Sequence, residues 1–437
     1  MRKAGVIVGR LKRRWSGLRG AWSRLTHDLH GFPRQFWILV AGTFVYTGAA
    51  ALGFPFEGIY MSQTLHISLT VIGAVFGLVT MAVMPFQMLG GTLTDRFGRK
   101  SMMLVAAVSA TVWFLGFAWA HHAWQVAILV AMEGAFGWPL FQTAANAMTA
   151  DLLPEEQRAE AFSVLRTAMN VGVVGGPPIG GLAITLGASF RQLFVAAAVG
   201  CLSFLVLTAV FLRETRPESA RHSGRHVDAA GRSGWAIVFG DGRFRLFCAV
   251  AMLPVFCFGM FGAMYSIFIT RFLHVPTSTW SLLLALNAAV VAVLGYPVMR
   301  AVRNVDRMLL LAASSLLVAI GLGGSALAQP GWELYALVCV LSLGEVLLGP
   351  VAAEIVSDLA PEAVRGRYNG AWTIVWNGGA SLGTAFGGWA MQTLGGRPAF
   401  GVVFFVGLAG AVLFLLLRGK VVPRDSTSRG PVPAEPD

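Results

Sequence analysis

Long apolar runs divided by short polar breaks dominate the chain. Runs long enough to cross a bilayer, at roughly 20 residues each, occur near 36–62, 69–91, 101–120, 124–150, 161–187 and 191–212. A polar, Arg-rich break covers Arg213–Arg245. Six more runs follow near 246–272, 279–301, 308–328, 332–358, 367–394 and 398–417. No continuous backbone survives in hydrocarbon unless its polar groups pair internally, so runs of this length predict helices. The pattern predicts an all-α membrane protein of twelve transmembrane helices. Five parts follow: a basic arm over 1–35, a six-helix bundle over 36–212, a linker over 213–245, a second bundle over 246–418, and a disordered tail over 419–437.

Composition agrees. Of 437 residues, 56% are hydrophobic and 12% charged, against about 25% charged in soluble chains. The net charge of +12 would suggest nucleic acid only if the bases shared one soluble face. They fall instead in loops and tails, which excludes that class and leaves the lipid bilayer as the partner. If both termini are cytoplasmic, all but Arg191, Arg271 and Arg397 of the 33 Lys and Arg lie on the cytoplasmic side. The positive-inside rule then places both ends inside, in a plasma or inner membrane. The nine Lys or Arg of residues 1–34, interleaved with Trp15, Leu18, Trp22 and Leu25, suit anionic lipid. No cleavable leader pattern is expected, because the first apolar run follows this arm. The four cysteines lie in apolar runs without ligand spacing, and no disulfide or metal site is expected. The pairs His121-His122 and His222/His226 read as loop residues.

The chain repeats internally. The shift of 207 that carries Asp151-Leu152-x-Pro154-Glu155-x-x-Arg158 onto Asp358-Leu359-x-Pro361-Glu362-x-x-Arg365 also pairs Gly137 with Gly344 and Asn170 with Asn377. It pairs Gly172, Gly176, Gly180 and Gly181 with Gly379, Gly383, Gly387 and Gly388. A constant offset across so many positions implies two pseudo-symmetric six-helix bundles.

Between the second and third runs stands Gly91-x-x-x-Asp95-Arg96-x-Gly98-Arg99-Lys100. Asp95 is an acid at the edge of an apolar segment, where it needs a partner. The spacing resembles, without a gap, the loop between the second and third helices of major facilitator superfamily transporters. In the second half Arg300 sits where Asp95 would align. In the fifth run, Gly172-x-x-x-Gly176-Pro177-x-x-Gly180-Gly181 sets small residues on one face and a bend at Pro177; it resembles the antiporter signature of that family. The resemblance implies two bundles rocking around a central substrate site, and export as the direction. It also implies that Asp95 and its basic neighbours lock the cytoplasmic side against helix 11, near Gly366–Tyr368.

Charges inside the runs are the other candidates, since each costs about 2.5–3.5 kcal/mol at a helix centre. Glu133 in the fourth run and Glu345 in the tenth fall near the midplane. A carboxyl kept from water holds its proton until water or a cation arrives, as a proton-coupled carrier requires. A neutral acid hydrogen-bonded in a helix seam is the plainer reading. Glu57, two residues after Pro55, reads equally as a solvated outer helix end or as a site. Arg166, in the inner third of the fifth run, either pairs with an acid or snorkels. Glu354 and Asp358 share a face near the inner end of the tenth run and, with Arg365, suit a second gate. Many drug–proton antiporters carry an Arg four residues before a helix 4 glycine; here Val130 precedes Gly134. Met81, Met84, Met88, Phe256, Met260 and Phe261 either line a cavity for hydrophobic ligands or simply pack. With no nucleotide-binding loop the expectation is a monomeric, cofactor-free carrier driven by a proton gradient. Export of a hydrophobic or amphipathic molecule leads, with uptake of a metabolite or sugar, or a non-transporting receptor, as alternatives.

Overall fold

A computed structural model describes residues 31–216 and 231–421; the basic arm up to His30, His222, His226 and most of the tail lie outside the described residues. Ten helices are long and apolar enough to cross a membrane. They are α1 (Arg34–Gln63), α2 (69–97, its apolar part Leu69–Phe86), α3 (Arg99–Trp119), α4 (Ala123–Leu152), α6 (Phe190–Phe211), α7 (Gly242–Phe272), α8 (Thr277–Ala301), α9 (Arg307–Ala326), α10 (Trp332–Leu359) and α12 (Gly396–Leu416). Two further helices, α5 (Glu155–Thr185, 31 residues) and α11 (Arg365–Thr393, 29 residues), have ample length to cross. They fall short in apolarity because Gly, Ser, Thr and Asn replace larger side chains along them. Ten of the twelve expected spans thus stand on length and apolarity together, and two on length.

The halves repeat one packing scheme. α1 packs on α5 and α6 as α7 packs on α11 and α12, and α3 packs on α6 as α9 packs on α12. The repeated glycines explain why. A Cβ at Gly172, Gly176 or Gly180 would collide with Thr47, Ala51 or Phe56 of α1; at Gly379, Gly383 or Gly387 it would press on Val255, Phe256 or Met264 of α7. Hydrocarbon supplies no hydrophobic drive between helices, so close backbone approach of this kind is what associates them. The last glycine of each set faces the other half. Gly181 abuts Ser281 of α8, and Gly388 abuts Leu69 and Gly73 of α2. The α1–α2 and α7–α8 corners also match: His66 (φ 53°) and His274 (φ 56°) each take a left-handed turn after their helix.

The four cysteines are free. Met260 and Phe261 are buried, Phe261 packing on Tyr265 and Trp280, and Phe256 packs at a tilt on Phe386. For these residues packing is the reading that holds.

Gly383→Ala would place a methyl 1.9 Å from the Phe256 carbonyl oxygen, and overpacking of this kind costs about 1–3 kcal/mol. A melting midpoint several degrees below wild type in detergent is expected. Gly401→Ala, where nothing lies within 4 Å, should melt like wild type.

Candidate functional site

Helix α4 is two helices end to end. Gly137 (φ −91°, ψ −110°) breaks it between Phe136 and Trp138. The Glu133 carboxylate fills the space left by the missing Gly137 side chain. Its Oε1 accepts from the Trp138 N–H at 3.1 Å and its Oε2 from Ser109 Oγ of α3 at 2.9 Å. The acid therefore sits at the amino end of the second helical segment, where the helix dipole favours negative charge, and only 6% of it is exposed. Tyr46 of α1 stacks on Trp138. Val130, in place of the family's arginine, is buried and apolar.

Trp138 also walls a cavity of about 490 Å³, shared with Gln142, Asn146, Phe162, Leu165, Arg166, Met169 and Asn170. Arg166 pairs with no acid among the described residues and is exposed to this space. Of the two readings left open for it, pairing is not what the structure shows. Glu345 is only partly buried; its Oε2 accepts from Asn287 Nδ2 of α8 at 2.9 Å, and the same amide donates to Ser342 at 3.0 Å.

Glu57 requires a correction. Distance along a straight helix places it near the outer interface, yet only 1% of it is exposed and neither carboxylate oxygen has a hydrogen-bond partner. The other half covers it. The Trp280 indole N–H of α8 donates to the Pro55 carbonyl at 2.9 Å, and Gly58 lies against Ala263 of α7. Such cover between segments far apart in sequence is invisible to helix arithmetic.

Those contacts belong to a seam that closes one face of the protein. Along it the Leu69 N–H donates to Gln392 Oε1 (3.0 Å), and Arg271 donates to Ser62 Oγ (3.3 Å). Gly73 and Gly77 of α2 press on the backbone of α11. The opposite face carries most of the bases and is arranged differently. Asp95 is 67% exposed and pairs with Arg99 of its own half at 3.2 Å. The start of α11 is held by its own half, where the Tyr368 hydroxyl donates to Asp241 Oδ2. The expected docking of Asp95 against α11 is not formed here, because the packing partners of the inner segment Gly90–Phe97 are α3, α4 and the rest of α2.

What the basic motif does engage is Glu214, just past α6. Its carboxylate accepts from the Arg99 and Lys100 N–H groups at 2.9 and 3.1 Å, capping α3. Gly98 (φ 98°) makes this possible twice over, by its left-handed backbone and because a Cβ there would lie 2.4 Å from Glu214. Arg99 also binds Asp151 at 2.8 Å. In the second half Arg307 takes its place, bonded to Asp358 and, at 3.5 Å, to Glu354. Arg365 is exposed, whereas its counterpart Arg158 donates to the Ala150 and Leu153 carbonyls. Sequence reasoning missed Glu214, Ser109, Asn287, Trp280 and Arg307. For Arg307 a signal existed: it lies one position from the 207-residue image of Arg99. Among the described residues no cluster of His, Cys, Asp or Glu could hold a metal ion.

Two six-helix halves that repeat one packing scheme and meet along a seam, with a polar cavity walled by α4 and α5, are the architecture of a membrane transporter. The chain belongs to the Major Facilitator Superfamily, whose profile matches residues 38–270 and 247–436. It is 26% identical to a "Na(+), Li(+), K(+)/H(+) antiporter" of Planococcus maritimus, over 77% of this chain and 84% of that one. It is 24% identical to "Multidrug resistance protein MdtH" of Klebsiella pneumoniae strain 342, over 90% and 96%. The crystal structure of the nucleoside transporter NupG superposes with a TM-score of 0.74 at 13% identity, covering 88% of this chain and 99% of that one. That likeness shows the fold. The chain is a membrane transporter of small molecules and not an enzyme.

Glu214→Ala leaves two helix-end N–H groups without their acceptor, a loss that typically costs about 1 kcal/mol. A lowered melting midpoint is expected in detergent, and an unchanged one would mean that water replaces the cap without loss.

Proposed function

We propose that the protein is a proton-coupled exporter of a hydrophobic or amphipathic small molecule, working by alternating access as a monomer in the plasma or inner membrane. The positive-inside rule turns the basic face, with both termini, toward the cytoplasm. On that orientation the cavity opens inward and the seam through Trp280 and Gly388 closes the outer side. The observation that carries the reading is the Glu133 carboxylate, buried and bonded to the backbone of a cavity-wall residue, Trp138. An acid so placed changes the wall when it gains or loses a proton.

Glu57 is its complement on the outer side. It lies without a partner beneath the Trp280–Pro55 bond, so parting the halves there lets water reach a carboxyl that is dry when they close. An unpaired charge in such a place is costly, and parting the seam removes that cost. Rocking the halves the other way brings the inner ends together, and Asp95 then meets the amino end of α11, where the dipole favours it. The antiporter and multidrug relatives lend support to coupled export. One proton crossing 100 mV and half a pH unit supplies about 3 kcal/mol, roughly a hundredfold gradient of a neutral solute.

Two measurements test this. Purified protein challenged with a broad compound panel should release protons on binding at least one compound, and Glu133→Gln should abolish the release while still binding. Silence across the whole panel would remove proton coupling. Separately, Trp280→Phe combined with Gly388→Ala, which puts a methyl 2.3 Å from the Leu69 carbonyl, should open the outer side. Spin labels at His121 and Gln329 should then report longer distances than in the parent, and unchanged distances would mean the seam is not what holds that side shut.

A further inference from the structure

The inner cavity is built from two stripes. On α4, Trp138, Gln142 and Asn146 follow one another at four-residue intervals; on α5, Phe162, Arg166 and Asn170 do the same. Residues four apart share a helix face, so each helix presents one aromatic and two polar side chains to the same space. The helices run antiparallel, separated by Leu153 and Pro154, so both stripes line the same cavity.

The charge of this wall has one sign. Arg166 is a permanent cation, and among the described residues no carboxylate lines the cavity. Both oxygens of Glu133 behind the wall are already engaged, by Trp138 N–H and Ser109. Glu354 and Asp358 are held by Arg307, and Glu345 is bonded to Asn287. A guanidinium offers a planar fork that matches a carboxylate or phosphate, and the three amides supply neutral donors around it. Trp138 and Phe162 add aromatic side chains to the same wall. A bound cation would meet the Arg166 charge with no acid in the wall to offset it.

From this we infer that the transported molecule is an amphipathic organic anion: an aromatic or otherwise flat apolar body carrying one carboxylate, sulfonate or phosphate, seated with its acid group on Arg166. The inference rests on the export reading and narrows its substrate class. It also gives the membrane potential a direct role, because an anion leaving a negative interior moves down that potential, independent of any proton. The site has room: about 490 Å³ falls within the range of small-molecule pockets.

Three matched probes test it: 1-naphthylacetate, 1-naphthylacetamide and 1-naphthylmethylamine, titrated calorimetrically into the full-length protein in detergent and then followed in inside-out vesicles. The carboxylate should bind about tenfold more tightly than the amide, the difference between a bond to a charged group and one to a neutral group, and the amine weakest. Arg166→Gln should erase the difference between carboxylate and amide, whereas Arg166→Lys should keep most of it. The Arg166 side chain is exposed to the cavity, so both variants should match wild type in gel filtration and melting midpoint. Equal binding of acid and amide, tightest binding of the amine, failure of all three to bind, or a preference that survives Arg166→Gln would each overturn the inference. Vesicles that move the amide or the amine but not the acid would sink it while leaving export intact. Vesicles that move none of the three, together with no proton release across the broad panel, would sink export as well.

Discussion

Everything in this fold depends on how closely two helix backbones can approach where no water drives them together. α5 and α11 are the two helices that pass through the middle of the contact scheme, each gripping the first helix of its own half. Their glycines at four-residue spacing let Thr47, Ala51 and Phe56, or Val255, Phe256 and Met264, press onto bare backbone. One further glycine on each, Gly181 or Gly388, turns toward the opposite half. The same two helices thereby weld each bundle internally and let the bundles touch at one end. Close packing inside each half and a localised seam between them both trace to the missing Cβ atoms.

The acids follow a related logic. Burying a carboxylate in hydrocarbon is tolerable when helix-end donors meet it. At Glu133 the chain makes such an end in mid-membrane by breaking α4 at Gly137, and it uses the vacated volume to seat the acid. Glu57 has no such provision. Its isolation depends on Pro55, Gly58 and their partners across the seam, so its environment is set by the contact between the halves. One acid is therefore tied to a helix break, and the other to an interface between the halves.

On the basic face the motif around Asp95 has two distinct workings. Arg99 is a structural hub that ties α3 to Asp151, with Glu214 capping the helix it begins. Arg307 with Asp358 and Glu354 mirrors that hub in the second half. Asp95 itself is exposed and pairs with Arg99. The signature thus combines a buried brace at Arg99 with an exposed acid at Asp95.

Much of this was legible in the residue order. Hydrophobic run length set the helices, because bilayer thickness fixes how many apolar residues a span needs. The offset of 207 located the two bundles, and glycine spacing marked the packing faces of α5 and α11. Glu133, Glu345 and Arg166 stood out because charge in an apolar run is costly. What the order of residues left open were the meetings between distant segments: Trp280 with Pro55 over Glu57, Gln392 with Leu69, Glu214 with the start of α3. Depth along one helix says nothing about which helix of the other half lies across it, so Glu57 reads as solvated until α7 and α8 are in place. Likewise, the pairing of Asp95 with Arg99 of its own half, away from α11, follows from how the two bundles pack against each other, which spacing along one chain does not specify.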